Sequence, residues 1–231
     1  MPQGKVFASP AAAIHDIPDG ATIMFGGFVT AGTPTNLILA LKERGTKGIT
    51  AIANNIGLGD RLDDLCEGRQ IARVIASFAI RASGARRSRF EEQYRRGEVA
   101  LELVPQGTLA ERIRAGGAGI GGFYTPTGVG TFAAEGKETR VIEGRPYLLE
   151  LPLRADFALI KAYRADTAGN LVYRGASRNF NAVMATAADT VIVEVEEIVE
   201  PGELDPEAVV TPGVYVDRIV KGERHAARWY P

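Results

Sequence analysis

Cysteine is almost missing from this chain. Cys66 is the only one in 231 residues, which excludes an internal disulfide and a cysteine-built metal cluster. Histidine is nearly as scarce, with only His15 and His225. Two histidines make a histidine-rich metal site an unreasonable expectation and leave a Ser–His pair little to choose from. Net charge is missing too: 27 basic residues against 28 acidic ones give −1. Bulk electrostatics therefore give no reason to expect nucleic acid or an anionic membrane as a partner. The apolar runs are far too short to span a bilayer, and the N-terminal MPQGKVFASP has no signal-peptide apolar core. These observations point to the cytoplasm or an organelle interior, and the cytoplasm is the expectation.

What remains is the composition of an ordinary globular protein, long enough for a sizeable core. Neither an internal repeat nor a low-complexity linker is visible, so one domain over residues 1–231 is expected.

The stretch Asp19–Pro34, DGATIMFGGFVTAGTP, organises the chain. An apolar run, Ala21–Phe25, leads into Gly26-Gly27-Phe28, and a helical pattern starts at Thr35. A short apolar run bounded by turn signals reads as a buried strand. Paired glycines permit positive φ and remove Cβ atoms that would hold a ligand off. The helix start beyond offers N–H groups and a positive dipole end to an anion or oxyanion.

Strand and helix patterns alternate along the rest. Ser9-Pro10 reads as an N-cap with proline at N1, and His15 as a partner of that helix's C-terminal dipole. Helices are expected over Thr35–Arg44 (ended by Gly45), Arg89–Tyr94, Leu109–Arg114 and Asn179–Ala188. Asp60 is a candidate cap for a short helix, and Thr108 with Glu111 reads as a capping box. Strands are expected at Ile49–Ala53, Gln70–Phe78, Val99–Val104, Phe157–Tyr163, Asn170–Tyr173, Thr190–Val195 and Asp217–Val220. Arg140–Ile142 and Pro146–Leu151 suggest a β-hairpin around Glu143-Gly144. The glycine-dense run from Ala115 to Tyr124 and on to Thr131 reads as a long packed loop. Glu194–Glu203 reads as solvated acidic surface, and the tail with Trp229 and Tyr230 as a poor core candidate. The fold expected is α/β: an open, mainly parallel sheet with helices on both faces and a β-hairpin insertion.

The ordered set Asp19, Gly20, Ile23, Met24, Phe25, Gly26, Gly27, Phe28, Gly32 and Pro34 resembles the first signature of the family I coenzyme A transferases, which include the 3-oxoacid CoA-transferases. The likeness continues through Asn54-Asn55, Pro105–Arg112, Gly116–Gly119, Tyr124–Thr131, Glu135-Gly136-Lys137, Ala176–Asn181 and Thr211–Gly213. It covers nearly the whole chain and is that of the α subunit, nearest the acetate/acetoacetate type. The 3-oxoadipate and succinyl/3-oxoacid types share these motifs.

The resemblance implies a CoA-transferase-like fold, of the broad kind also found in sugar-phosphate isomerases. It implies a covalent exchange in which an enzyme glutamate attacks an acyl-CoA thioester, passes through an acyl–glutamyl anhydride, and then carries CoA as a glutamyl thioester. CoA thioesters are substrates, and neither a resident cofactor nor a metal is needed. The glutamate of this family lies in a Glu-Asn-Gly context of the β subunit, and that tripeptide does not occur here. No catalytic residue is therefore expected in this chain. Its nucleophile should come from a β subunit, in an α2β2 assembly. Gly26, Gly27, Phe28, Val29, Thr30, Ala31 and Gly32 are implied to form a CoA-binding turn. Gln106 is the leading substrate-binding side chain, with Asn54 and Asn55 as further candidates. The arginines 81, 86, 87, 89, 95 and 96 depart from the family pattern. They suit CoA phosphates or, the better reading given Glu91, Glu92 and Glu98, a salt-bridged solvated face. A non-catalytic ligand-binding or sensor module, or a sugar-phosphate isomerase, is the alternative on a fold of this kind.

Overall fold

The computed structural model describes residues 4–57, 59–80, 87–223 and 225. The elements alternate as the sequence suggests. Strand β1 (Val6–Phe7) and helix α1 (Pro10–Ala13) open the chain, followed by β2 (Thr22–Phe25), α2 (Thr35–Arg44), β3 (Ile49–Asn55) and α3 (Asp63–Glu67). Next come β4 (Ile71–Phe78), α4 (Arg89–Arg95), β5 (Ala100–Leu103) and α5 (Gln106–Ala118). Three strands follow, β6 (Phe123–Thr125), β7 (Thr139–Ile142) and β8 (Arg145–Glu150), then β9 (Ala155–Lys161), β10 (Arg164–Asp166) and β11 (Leu171–Val172). The chain continues with α6 (Asn179–Met184), β12 (Ala188–Val195), β13 (Glu197–Val199) and β14 (Arg218–Lys221).

Eight strands form one sheet in the order β1-β14-β12-β9-β2-β3-β4-β5. Every pairing in it is parallel. Side chains alternate across a strand, so a parallel sheet must bury both faces. Ile23 and Phe25 of β2 join the core under α1 to α4, while Met24 joins the opposite core under α5 and α6. Ala51 and Ala53 against Ile52 in β3, and Leu159 against Ala158 and Ile160 in β9, divide in the same way. Helices therefore cover both faces. None of the helices among the described residues is long and apolar enough to cross a membrane.

Local signals set many boundaries. The Ser9 side chain accepts from Ala12 N–H with Pro10 in the first turn, and His15 Nδ1 lies 3.0 Å from the Ala12 carbonyl. Gly45 closes α2 at φ 77°. Glu143 (φ 49°) and Gly144 (φ 75°) form the tip of the β7–β8 hairpin. Strand β6 pairs with β8, so the hairpin insertion is a three-stranded antiparallel sheet. Arg112 of α5 fastens it, donating from Nε to the Leu151 carbonyl at 2.9 Å and pairing with Glu102 at 2.6 Å.

Four expectations are corrected. Ala115–Ala118 belongs to α5, and the glycine-rich loop begins only at Gly119. A Cβ on Gly116 would lie 1.9 Å from the Leu153 carbonyl oxygen, and one on Gly117 2.2 Å from Thr186 Oγ1. Close tertiary packing, and not local propensity, put glycine in this helix. Thr108 lies inside the first turn of α5 with its hydroxyl buried and unpartnered, so there is no Thr108–Glu111 capping box. The box that does form is Ser88 with Glu91 at α4, which buries Glu91 and removes it from any solvated face. Asp60 does not cap α3; its carboxylate accepts from Leu62 N–H at 3.0 Å in the preceding loop.

The arginine run divides. Arg89 lies within 4.0 Å of Asp63, Asp64 and Glu67, and Arg96 pairs with Glu92 and Glu98, the salt-bridged arrangement expected. Arg81 and Arg86, like Trp229 and Tyr230, lie outside the described residues.

Candidate active site

Strands β2, β3, β4 and β5 succeed one another in one direction across the sheet, and β9, β12 and β14 in the other. The reversal falls between β2 and β9. Chains leave such a point to opposite faces, which opens a crevice at the carboxyl ends of the strands. Gly26 and Gly27 stand there, and Gly26 N–H donates to the Leu159 carbonyl of β9 at 2.9 Å.

The turn that follows is a tight hairpin. Phe28 and Ala31 exchange both backbone hydrogen bonds at 3.0 Å. Val29 at its tip has φ 54°, a costly conformation for a β-branched residue. Its N–H is held by Asn55 Oδ1 at 2.7 Å. Gly26, Phe28, Val29 and Ala31 thus spend their N–H groups within the protein, while Gly27, Thr30 and Gly32 have theirs to offer.

The three side chains singled out in the sequence come together beside this turn. Gln106, at the start of α5, donates from Nε2 to Asn54 Oδ1 at 2.6 Å. Asn54 Nδ2 donates to Asn55 Oδ1 at 2.8 Å, the same oxygen that receives Val29 N–H. Asn54 and Asn55 are buried at the end of β3, whereas Gln106 is half-buried. Gln106 keeps its second N–H and its Oε1 for a ligand. An open cleft of about 310 Å³ lies alongside, lined by Phe28, Gln106, Ala110, Phe180 and Val183 among others. Phe28, 43 % exposed, forms one wall.

Two residues that shape the site carried no assigned role in the sequence. Asn181 of α6 is fully buried, donates to the Gly32 carbonyl at 3.0 Å and receives Lys161 N–H at 2.8 Å. A Cβ on Gly26 would lie 1.8 Å from its Oδ1, and one on Gly32 2.7 Å from its Nδ2. Those glycines make room for an asparagine of the protein itself as well as a turn. The second residue is Glu194, at the end of β12. Placed on solvated surface by its acidic neighbours, it is in fact fully buried. Its carboxylate accepts the N–H groups of Asn36 (2.7 Å) and Leu37 (3.2 Å), the Asn36 side chain (2.8 Å) and Lys161 Nζ (3.2 Å). The N-terminus of α2 is thereby filled by an internal carboxylate, which corrects its reading as an anion site. The motif around Asn181 was one signal available in the sequence; Glu194 had none.

Comparison with known proteins agrees with this geometry. The coenzyme A transferase family model matches residues 7–222. The chain is 52 % identical to the α-type subunit of 3-oxoadipate CoA-transferase from Pseudomonas putida, over 94 % of this chain and 93 % of that protein. It is 49 % identical to the corresponding subunit of a probable succinyl-CoA:3-ketoacid coenzyme A transferase from Bacillus subtilis, over 97 % and 93 %. The human mitochondrial succinyl-CoA:3-ketoacid coenzyme A transferase 2 is 45 % identical across 98 % of this chain, which spans 46 % of the human protein. Among solved structures, glutaconate coenzyme A-transferase of Acidaminococcus fermentans superposes with TM-score 0.80 at 22 % identity, covering 94 % of this chain and 75 % of that one, a likeness of fold. The relatives favour a transferase over a sensor or an isomerase, and the chain belongs to the coenzyme A transferase family.

Proposed function

We propose that this chain is the α subunit of a 3-oxoacid-type CoA-transferase, moving CoA between a short-chain acyl-CoA and a 3-oxoacid or short-chain carboxylate. One observation carries the site assignment: Gln106, Asn54, Asn55 and the Val29 turn form one hydrogen-bonded row at the edge of an open cleft. Two bacterial relatives are named as single subunits of their enzymes, which supports a partner chain. The human relative extends well beyond the part matched here, which fits a second half joined in cis. We take the assembly to be α2β2, with residues 1–231 as one domain.

The nucleophile is then a glutamate of the β subunit. Its carboxylate attacks the thioester carbonyl, the C–S bond breaks, and CoA leaves as the thiolate while an acyl–glutamyl anhydride forms. The thiolate attacks the glutamyl carbonyl and expels the acyl group as a carboxylate. The acceptor carboxylate repeats the steps in reverse and leaves with CoA. Each attack puts negative charge on a carbonyl oxygen. The uncommitted N–H groups of Gly27, Thr30 and Gly32 and the second Gln106 N–H are the donors this chain can supply to it, or to the CoA pantetheine amide. Preorganised donors of this type contribute about 3–4 kcal/mol each to acyl transfer. An amide stabilises that charge without setting up a competing cation. The cleft between Phe28, Ala110, Phe180 and Val183 would hold the acyl chain.

The test is native mass spectrometry of the tagged chain from its own cells, followed by an exchange assay with succinyl-CoA and acetoacetate. A stable complex with a different chain carrying Glu-Asn-Gly, active only as the complex, is the expected result. Gln106→Ala in that complex should lower kcat by about 100-fold. Exchange by this chain alone would overturn the proposal, as would a partnered complex with no exchange on any short-chain acid.

A further inference from the structure

Resting on the transferase reading, we infer that Asp60 is a positioning residue: through Asn55 and Asn54 it sets which atoms of Gln106 face the cleft. Asp60 is 4 % exposed and lies in the loop after β3. A carboxylate only accepts hydrogen bonds. Its Oδ2 receives Asn55 Nδ2 at 2.6 Å, and its Oδ1 receives the N–H groups of Leu62 at 3.0 Å and Gly57 at 3.4 Å. Asn55 is thereby held with its nitrogen toward Asp60. Its oxygen turns the other way, to Val29 N–H and Asn54 Nδ2. A backbone N–H only donates, so Asn55 sits between an acceptor-only group and a donor-only group. Its amide has one permitted orientation.

That orientation propagates. Asn54 must give Nδ2 to Asn55, which leaves its Oδ1 for Gln106 Nε2. Every amide in the row points in the same sense. Gln106 is anchored through its nitrogen, so Oε1 and one N–H remain for the ligand. A reversed row would tie down Oε1 and change the group that meets the reacting oxygen. The same Asn55 oxygen steadies the Val29 tip, so one buried carboxylate orients both the side-chain and the backbone parts of the site.

The experiment is a double-mutant cycle in the complex with the partner subunit. Asp60→Asn keeps the shape but can no longer accept on both oxygens. The row loses its fixed sense, and kcat should fall about tenfold, with KM for the acyl-CoA within about twofold. In a Gln106→Ala background the same substitution should cost less than about twofold, because the group it orients is gone. Asp60→Glu, still acceptor-only, should recover activity that Asp60→Asn loses. An equal fold-loss from Asp60→Asn in both backgrounds would overturn the inference, since a merely structural role acts alike in both. Should Asp60→Asn fail to fold, Asn54→Ala cuts the row in its middle and enters the same cycle with Gln106→Ala. A second readout is independent of activity: the Gln106 side-chain amide resonances of the full-length chain should move in Asp60→Asn. If the wild-type complex exchanges no CoA, the transferase reading fails, and these resonances decide on the row. Unmoved resonances would refute it.

Discussion

Glu194→Ala should be among the most damaging single changes outside the catalytic cleft. The carboxylate is fully buried and receives four hydrogen bonds: two from the first turn of α2, one from the Asn36 side chain and one from Lys161. The Lys161 side chain is only 20 % exposed and 3.2 Å away. Alanine leaves this ammonium largely desolvated without a counter-charge and strips two backbone N–H groups of their acceptor. Removing one partner of such a pair costs about 3–5 kcal/mol. For a chain of this size about 1 kcal/mol corresponds to 2–4 °C, so Tm should fall by roughly 6–20 °C. Glu194→Gln keeps the shape and one acceptor oxygen and should lose about 1–3 kcal/mol. Adding Lys161→Met to Glu194→Ala should recover part of the loss, because the stranded charge disappears while the uncapped helix end remains. Urea and thermal denaturation of the four proteins read this directly. A loss below about 1 kcal/mol for Glu194→Ala would refute the reasoning, because it would mean that water or another group fills the helix end at no cost.

Three further predictions test other parts of the molecule. Gly26→Ala should cost more than about 3 kcal/mol, because its Cβ would meet Asn181 Oδ1 at 1.8 Å, and Asn181→Ala should restore part of that; denaturation of the pair decides, and additive losses would exclude the contact. Burial pushes the Cys66 thiol well above the ordinary range, so a disulfide reagent at pH 8 should label it only at the rate of unfolding; rapid labelling of the native protein would show the site to be open. Hydrogen bonds from Arg218, at 2.6 Å to both oxygens, hold the Asp16 carboxyl below its usual range. A lowered carboxyl contributes stability above its unfolded value, near pH 4, and loses it as pH falls through the folded value. Arg218→Met should therefore trail wild type at pH 7, by less than about 1 kcal/mol for so exposed a pair, and by a smaller margin at pH 3; an equal gap in urea titrations at both pH values would contradict the pairing.

Sequence pattern alone determined the alternation of strands and helices, because it depends on neighbours a few positions apart. Apolar runs marked β2, β3, β9 and β12; Ser9-Pro10, Gly45 and Glu143-Gly144 marked ends and a turn. The candidate site residues were also legible, since the glycine turn, Asn54-Asn55 and Gln106 stand in an ordered motif at strand ends. Tertiary structure decided the rest. Gln106 and Asn54 are far apart in the chain and meet only because β3 and α5 end at the same edge of the sheet. Ala115–Ala118 is helical because Leu153 and Thr186 pack against its glycines, which local propensity cannot register. Glu194 lies 158 positions from Asn36, so its acidic neighbours suggested surface while the sheet order carried it to a helix start. Short-range periodicity writes secondary structure into a sequence; the burial of a charge or the need for a glycine depends on which distant residue arrives beside it.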